Sequence, residues 1–151
     1  MKLTGTIVIN APIDRCWALV RDPVALAACV PGIRDVRAVD ERTFEGSISA
    51  SVGPLDGDFA FTAVIARAEP PNEIDVKVTG LDSVTRSRLE TSVTATLAED
   101  PPGTTTLAYR AEVRVKGRLA ILGEMVLRAT ATMMVNQVAG CLRSRLEAAT
   151  S

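Results

Sequence analysis

The chain has 151 residues, enough for one domain with its own hydrophobic core, so we expect a single domain over residues 1–151. Its 17 basic and 18 acidic residues give a net charge of −1, which argues against nucleic acid as a partner. The chain contains no histidine, which removes the usual general base, the Ser-His and Cys-His pairs and imidazole metal ligands. We therefore expect no catalytic residues, no metal site and no cofactor.

The cysteines and the aromatic residues further narrow the class of protein. Hydrophobic residues make up 47% of the chain but aromatic residues only 3%, so aliphatic side chains must fill most of the core. Cys16, Cys29 and Cys141 are odd in number, widely spaced and without a CxxC motif, and the first residues do not resemble a signal peptide. These features predict a cytoplasmic protein with reduced thiols.

The first thirty residues predict one strand followed by two short helices. Residues 2–9 alternate with a period of two and are rich in β-branched side chains, which indicates a strand. Residues 12–21 predict a helix with Trp17 on its buried side. A second helix over 23–29 must end before Pro31, because proline disfavours the helical conformation in the residue before it.

The middle of the chain predicts strands separated by turns. Glycine, proline, asparagine and aspartate interrupt the β-rich segments at regular intervals, as hairpin turns require. The alternation is cleanest in residues 107–116, where apolar side chains occupy one face and charged side chains the other. The predicted strands lie near 33–39, 43–52, 57–68, 73–80, 85–98 and 104–117.

The period changes after Gly117, where the sequence predicts one long helix over residues 118–148. Glu124 and Arg128 lie within this segment at an i,i+4 spacing, which favours an amphipathic helix over a membrane-spanning one. Such a helix can cover the apolar face of a seven-stranded antiparallel sheet. The predicted fold is therefore α+β of the helix-grip type, with two short helices between strands 1 and 2.

The order of elements resembles the START/Bet v1-like (SRPBCC) superfamily, and local motifs resemble its CoxG-like family, named after the CoxG protein of carbon monoxide dehydrogenase. These motifs are Trp17 in the first helix, LAACVPG at 26–32, Gly53-Pro54 with Gly57 in a turn, and GRLAILG at 117–123 after Tyr109. The resemblance implies a small accessory protein associated with a CO-dehydrogenase-type molybdenum hydroxylase. It also implies an apolar ligand, such as a quinone or another lipid.

The resemblance also sets expectations about partners. Many relatives have an apolar C-terminal tail, whereas this chain ends at Ser151 without one, so we expect no stable membrane anchor. The expected partners are an apolar small molecule and a molybdenum hydroxylase complex, and a homodimer is also allowed.

Two roles compete for Cys29, and two for the methionines of the long helix. Cys29 is either a reactive thiol on a tight turn or a small buried hydrophobe in a segment that closes a cavity, and its apolar neighbours favour the second role. Met125 and Met133 fit a ligand-facing surface and an ordinary core equally well. Tyr109 is the only tyrosine, and its hydroxyl would be the polar handle of the cavity.

The main hypothesis is a binding protein that holds an apolar molecule between its sheet and its long helix. An enzyme resembling the polyketide cyclases and aromatases is the alternative, and it would require acid–base groups facing inward. A chaperone-like assembly factor without a ligand is the third, and it would require an exposed apolar patch. The predicted wall of the cavity consists of Leu26, Cys29, Val30, Phe44, Ile48, Leu107, Tyr109, Leu122, Met125, Ala129 and Met133.

Overall fold

A computed structural model describes residues 1–148, which form one sheet, three α-helices and one 3-10 helix. Residues 149–151, on which the expected lack of an apolar tail rests, lie outside the described residues. The elements are β1 (Lys2–Ile9), α1 (Ile13–Val20), α2 (Pro23–Ala27), β2 (Ile33–Ala38), β3 (Thr43–Val52), β4 (Leu55–Glu69), β5 (Glu73–Asp82), β6 (Ser87–Glu99), β7 (Thr105–Lys116), the 3-10 helix (Arg118–Leu122) and α3 (Glu124–Ala148).

The sheet has the strand order β1-β7-β6-β5-β4-β3-β2, and every neighbouring pair is antiparallel. Strands β2 to β7 form a meander because short turns join them, and β1 pairs with β7 at the edge. In β7, Leu107 and Ala111 are buried, whereas Arg110, Glu112 and Arg114 are exposed, so one face of the sheet is apolar. The α+β helix-grip prediction is confirmed.

Two short helices cover part of the apolar face, and carboxylates hold their first turns. Asp22 Oδ1 accepts hydrogen bonds from the backbone N–H groups of residues 24 and 25, at 3.2 and 3.3 Å, and so caps α2. Helix α1 has no side-chain cap of its own. Instead Glu99 of β6 accepts a 2.6 Å hydrogen bond from the N–H of Ile13. This bond and one from the N–H of Gly103 hold the pKa of Glu99 below its usual range.

The prediction of three reduced thiols is wrong for two of them. Cys29, just after α2, forms a disulfide with Cys141 in α3, and their Cα atoms are 5.4 Å apart. Cys16 is free and buried, and burial raises the pKa of its thiol. An odd count is compatible with one pair and one free thiol, and 112 residues separate the paired cysteines, so their spacing gave no sign of the bond.

The prediction of one continuous helix over 118–148 is also wrong. The 3-10 helix ends at Leu122, and Gly123 has a φ of +89° before α3 begins at Glu124. A positive φ interrupts a right-handed helix, and glycine adopts it without steric cost. The 3-10 helix is held to the sheet by Ser87 of β6, whose Oγ accepts a 3.1 Å hydrogen bond from the N–H of Leu119.

Helix α3 joins two hydrophobic clusters. Its C-terminal half packs Ala139, Leu142 and Leu146 against β1, α1 and the adjoining strands. Its N-terminal half packs near a smaller cluster built on Phe59 and Leu119. None of the helices within residues 1–148 is both long and apolar enough to span a membrane.

Candidate functional site

An apolar cavity of about 270 Å³ lies between the α1–α2 segment and the inner face of strands β2 to β6. None of its 18 lining residues has a polar side chain. From the helices and the loop after them come Val20, Pro23, Leu26, Ala27 and Val30. From the sheet come Ile33, Val36, Phe44, Ile48, Phe59, Phe61, Ala63, Ile65, Ile74, Val76, Val78, Gly80 and Leu89.

Strand β4 forms the floor of the cavity because its side chains alternate. Phe59, Phe61 and two smaller residues at 63 and 65 face inward, while the residues between them face solvent. The ring of Phe61 has glycines opposite it on both neighbouring strands, Gly46 and Gly80. A Cβ on Gly46 would be 2.8 Å from Phe61 Cζ, so the ring occupies the space that a side chain there would need.

The lid of the cavity is the LAACVPG segment. Leu26, Ala27 and Val30 face the cavity, and the disulfide at Cys29 ties the segment to α3. Gly32 then turns the chain into β2 with a φ of +80°. A Cβ on Gly32 would overlap the carbonyl oxygen of the residue opposite it at position 49, so the turn requires glycine.

The predicted wall residues divide into three groups. The structure places Leu26, Val30, Phe44 and Ile48 on the wall of the cavity. Whether they bind a ligand stays a prediction.

Four other predicted wall residues lie inside the protein but not on the cavity wall. Cys29 and Leu107 are buried in the larger cluster, and Tyr109 packs beside it. Leu122 packs against the smaller cluster. The Tyr109 ring lies over Gly5, its partner on β1, where any Cβ would overlap the hydroxyl. Tyr109 is therefore not the polar handle that the sequence predicted.

The placement of the remaining three residues against the sheet is wrong. Met125 is 85% exposed, Met133 is 52% exposed and Ala129 is also exposed. Met133 and Leu142 are nine residues apart, which at about 100° per residue puts them on opposite sides of the helix. The prediction failed because both were assigned to one apolar stripe.

Most of the sheet side of the wall was not predicted from the sequence. Phe59 and Phe61 are the largest residues concerned, and they alternate with polar or small residues in β4. That alternation was a usable signal. By contrast, the inward position of Ile74 and Val76 depends on which strands the short helices cover, and no local pattern reports this.

A polar cleft adjoins the cavity where α1 ends. Arg21, Glu41 and Arg42 line it, and it shares Ile65 and Ile74 with the cavity wall. The cleft is therefore continuous with the cavity at these two side chains and is the nearest polar surface to it.

The buried charged residue of the sheet lies elsewhere and stabilises a turn. Asp82 is 3% exposed, and its carboxylate accepts hydrogen bonds from Thr85 Oγ1 and from the N–H groups of Asp58 and Val84. Burial raises the pKa of Asp82, but these hydrogen bonds outweigh it and hold the pKa below its usual value. Asp82 does not line the cavity, whose wall can exclude water and pack against hydrocarbon.

Comparison with solved structures defines the class of protein. A conserved protein from Geobacillus kaustophilus has a TM-score of 0.90 at 16% identity, over 97% of this chain and 95% of that chain. A START superfamily protein from Mycobacterium smegmatis has a TM-score of 0.71 at 13% identity, over 97% of both chains. The Zhui aromatase/cyclase from Streptomyces sp. R1128 has a TM-score of 0.68 at 14% identity, over 99% of this chain and 97% of that chain.

These likenesses show that the chain has the START-like helix-grip fold. The family model for CoxG, the G-type subunit of carbon monoxide dehydrogenase, matches residues 5–147. The chain therefore belongs to the CoxG family, as the motifs around residues 26–32 and 117–123 predicted. Among curated proteins, none matches the chain.

Proposed function

We propose that this protein binds a hydrophobic small molecule in the cavity beneath α2 and is an accessory protein of a CO-dehydrogenase-type molybdenum hydroxylase. The observation that carries the binding function is the wholly apolar wall of the 270 Å³ cavity. An empty apolar cavity of this size costs stability, because its lining loses packing contacts, and an apolar ligand restores them. The family description supports the link to carbon monoxide dehydrogenase.

The size of the cavity limits the part of a ligand that it encloses. A volume of 270 Å³ corresponds to about nine methylene-sized groups, since a group the size of water occupies about 30 Å³. A quinone or lipid would place one chain segment or one ring inside and extend the rest through the mouth. We propose that the protein acts in the cytoplasm, as a monomer or a homodimer, and not as an enzyme.

A cyclase or aromatase activity is the alternative that the likeness to the Zhui aromatase/cyclase suggests. Such an enzyme moves protons at its substrate and needs acid–base side chains facing it. The 18 wall residues supply only hydrocarbon side chains and one glycine. The composition of the wall therefore favours binding over catalysis.

A chaperone-like role without a ligand has one supporting observation. Ile121 and Met125, on either side of Gly123, are 83% and 85% exposed. Exposed apolar side chains of this kind are used in protein contacts. They are compatible with either function, because the exposed residues and the cavity do not overlap.

The binding function is tested with a variant that fills the cavity. Ala63→Leu adds three heavy atoms to the wall, about a third of the volume at about 30 Å³ each. Ala60→Leu makes the same change on the exposed face of the same strand and is the matched control. Native mass spectrometry and an organic extract would first identify any ligand that copurifies. Binding of that ligand, or of ubiquinone-1 and 1-aminoanthracene, is then compared by fluorescence.

We expect Ala63→Leu to weaken binding at least tenfold and Ala60→Leu to leave it unchanged. Equal binding by both variants, or no binding of any apolar molecule to the original protein, contradicts the proposal. Comigration with the purified molybdenum hydroxylase in size-exclusion chromatography tests the proposed partner separately.

A further inference from the structure

The polar cleft beside the cavity carries an excess of positive charge. Arg21 and Arg42 line it together with one acidic residue, Glu41. Neither arginine side chain is within ion-pair distance of a carboxylate among residues 1–148. In contrast, Arg67 on the same strand as Ile65 contacts three carboxylates. The cleft guanidinium groups are therefore available to an anion.

The backbone around both arginines is well anchored. Arg21 ends α1, and its N–H donates a 2.9 Å hydrogen bond to the carbonyl of Trp17. The N–H of Arg42 donates to Asp40 Oδ1 at 2.8 Å, and the carbonyl of Arg42 accepts from the N–H of Ile65, also at 2.8 Å. The nearby Asp40 carboxylate also accepts from the N–H of residue 43, so it is already committed to the turn. The two guanidinium groups thus extend from fixed points at the mouth.

We propose that the natural ligand is an anionic single-chain amphiphile, a fatty carboxylate of about ten carbons, with its chain in the cavity and its carboxylate between Arg21 and Arg42. This inference rests on the proposed function, since it assigns the ligand class of the same cavity. The continuity at Ile65 and Ile74 allows one molecule to occupy both spaces. Arginine suits a carboxylate because its planar fork donates two parallel hydrogen bonds.

The length of the chain follows from the volume. About nine methylene-sized groups fill 270 Å³, which leaves the carboxyl carbon of a ten-carbon acid at the mouth. The wall offers no hydrogen-bond partner, so a chain with internal polar groups is excluded from it. A longer chain must leave its excess methylenes in the solvent-exposed cleft.

The test compares decanoate, 1-decanol and decyl phosphate by isothermal titration calorimetry at pH 7.5 and low salt. We expect decanoate to bind about tenfold more tightly than 1-decanol, because exposed ion pairs contribute modestly but two act together. The Arg21→Gln/Arg42→Gln variant should lose this preference while its affinity for 1-decanol stays the same. The Arg118→Gln/Arg145→Gln variant has the same change of charge at exposed positions outside the cleft and is the matched control.

A third variant and the salt dependence make the test two-sided. Glu41→Gln removes the acidic group of the cleft and should strengthen decanoate binding about two- to threefold without affecting 1-decanol. Raising the salt to 0.5 M should reduce the preference for decanoate, because exposed charges are screened.

The outcomes separate the inference from the proposed function. If decanoate and 1-decanol bind equally, or if the cleft variant keeps the preference, the anionic headgroup is refuted while the apolar cavity stands. If decyl phosphate binds tenfold more tightly than decanoate, the carboxylate class is refuted. If none of the three binds, the proposed function fails as well.

Discussion

The disulfide between Cys29 and Cys141 provides the most direct stability test. Replacing both cysteines by alanine, or reducing the bond with dithiothreitol, removes a crosslink between residues that are 112 positions apart. A crosslink stabilises the folded state mainly because it lowers the conformational entropy of the unfolded chain. The effect therefore depends on the length of the closed loop and can be calculated from it.

The calculated magnitude is large for a small protein. A loop of 112 residues gives an entropy change of about 16 cal/mol/K, or about 4.8 kcal/mol at 25 °C. Measured losses for native disulfides are about 2–5 kcal/mol, and the whole stability of a domain is about 5–15 kcal/mol. We expect reduction to lower the free energy of unfolding by about 2–5 kcal/mol.

Urea unfolding followed by tryptophan fluorescence measures this loss. Trp17 is the only tryptophan, and it is buried in the same cluster as Cys29. Cys29→Ala/Cys141→Ala should unfold near the midpoint of the reduced protein and should not respond to reductant. Cys16→Ala, the matched control, should keep the full response, because Cys16 is not in the bond.

Thiol titration in denaturant checks the premise directly. The oxidised protein should expose one reactive thiol per chain, and the reduced protein should expose three. Three thiols in protein purified without reductant, or an unfolding midpoint that reduction leaves in place, would refute the reasoning.

Three further predictions concern glycines and a buried carboxylate. Gly5→Ala should lower the free energy of unfolding by about 1–3 kcal/mol in urea denaturation, because the methyl group overlaps the hydroxyl of Tyr109. Gly32→Ala should cost about 1–3 kcal/mol because of its positive φ, whereas Gly140→Ala, with no atom within 4 Å of the added Cβ, should stabilise α3 by about 0.5–1 kcal/mol in the same assay; a Gly32→Ala variant as stable as the original protein would contradict the turn geometry. Asp82→Asn should cost about 2 kcal/mol at neutral pH. Because the folded-state pKa of Asp82 is lowered, this difference should be fully present above about pH 4 and decline as the pH falls through the folded pKa, and a difference that is constant from pH 7 to 3 would contradict it.

The strands were predictable because their signals are local. The fourth strand was predicted over 57–68 and spans Leu55–Glu69, and the seventh was predicted over 104–117 and spans Thr105–Lys116. Alternating side chains and turn-forming residues act within a few positions of one another, so they are readable without the fold.

The candidate site was only partly predictable. Leu26 and Val30 were identified because an apolar helix that ends at a Pro-Gly turn must pack onto the sheet. Met125 and Met133 were misassigned because two stripes of α3 are rich in apolar residues, and only the contacts of the helix decide which stripe is buried. The Arg21–Arg42 cleft joins residues 21 positions apart, and no motif connects them.

The sequence by itself determined the order of the elements, the turns between them and the apolar character of the interior, because these depend on residue types and short-range spacing. The tertiary structure alone decided the Cys29–Cys141 bond, the buried face of α3 and the position of the cavity beneath α2. Each of these depends on which distant segments pack together. That choice is made by the fit of whole surfaces, to which every element contributes and which no single segment encodes.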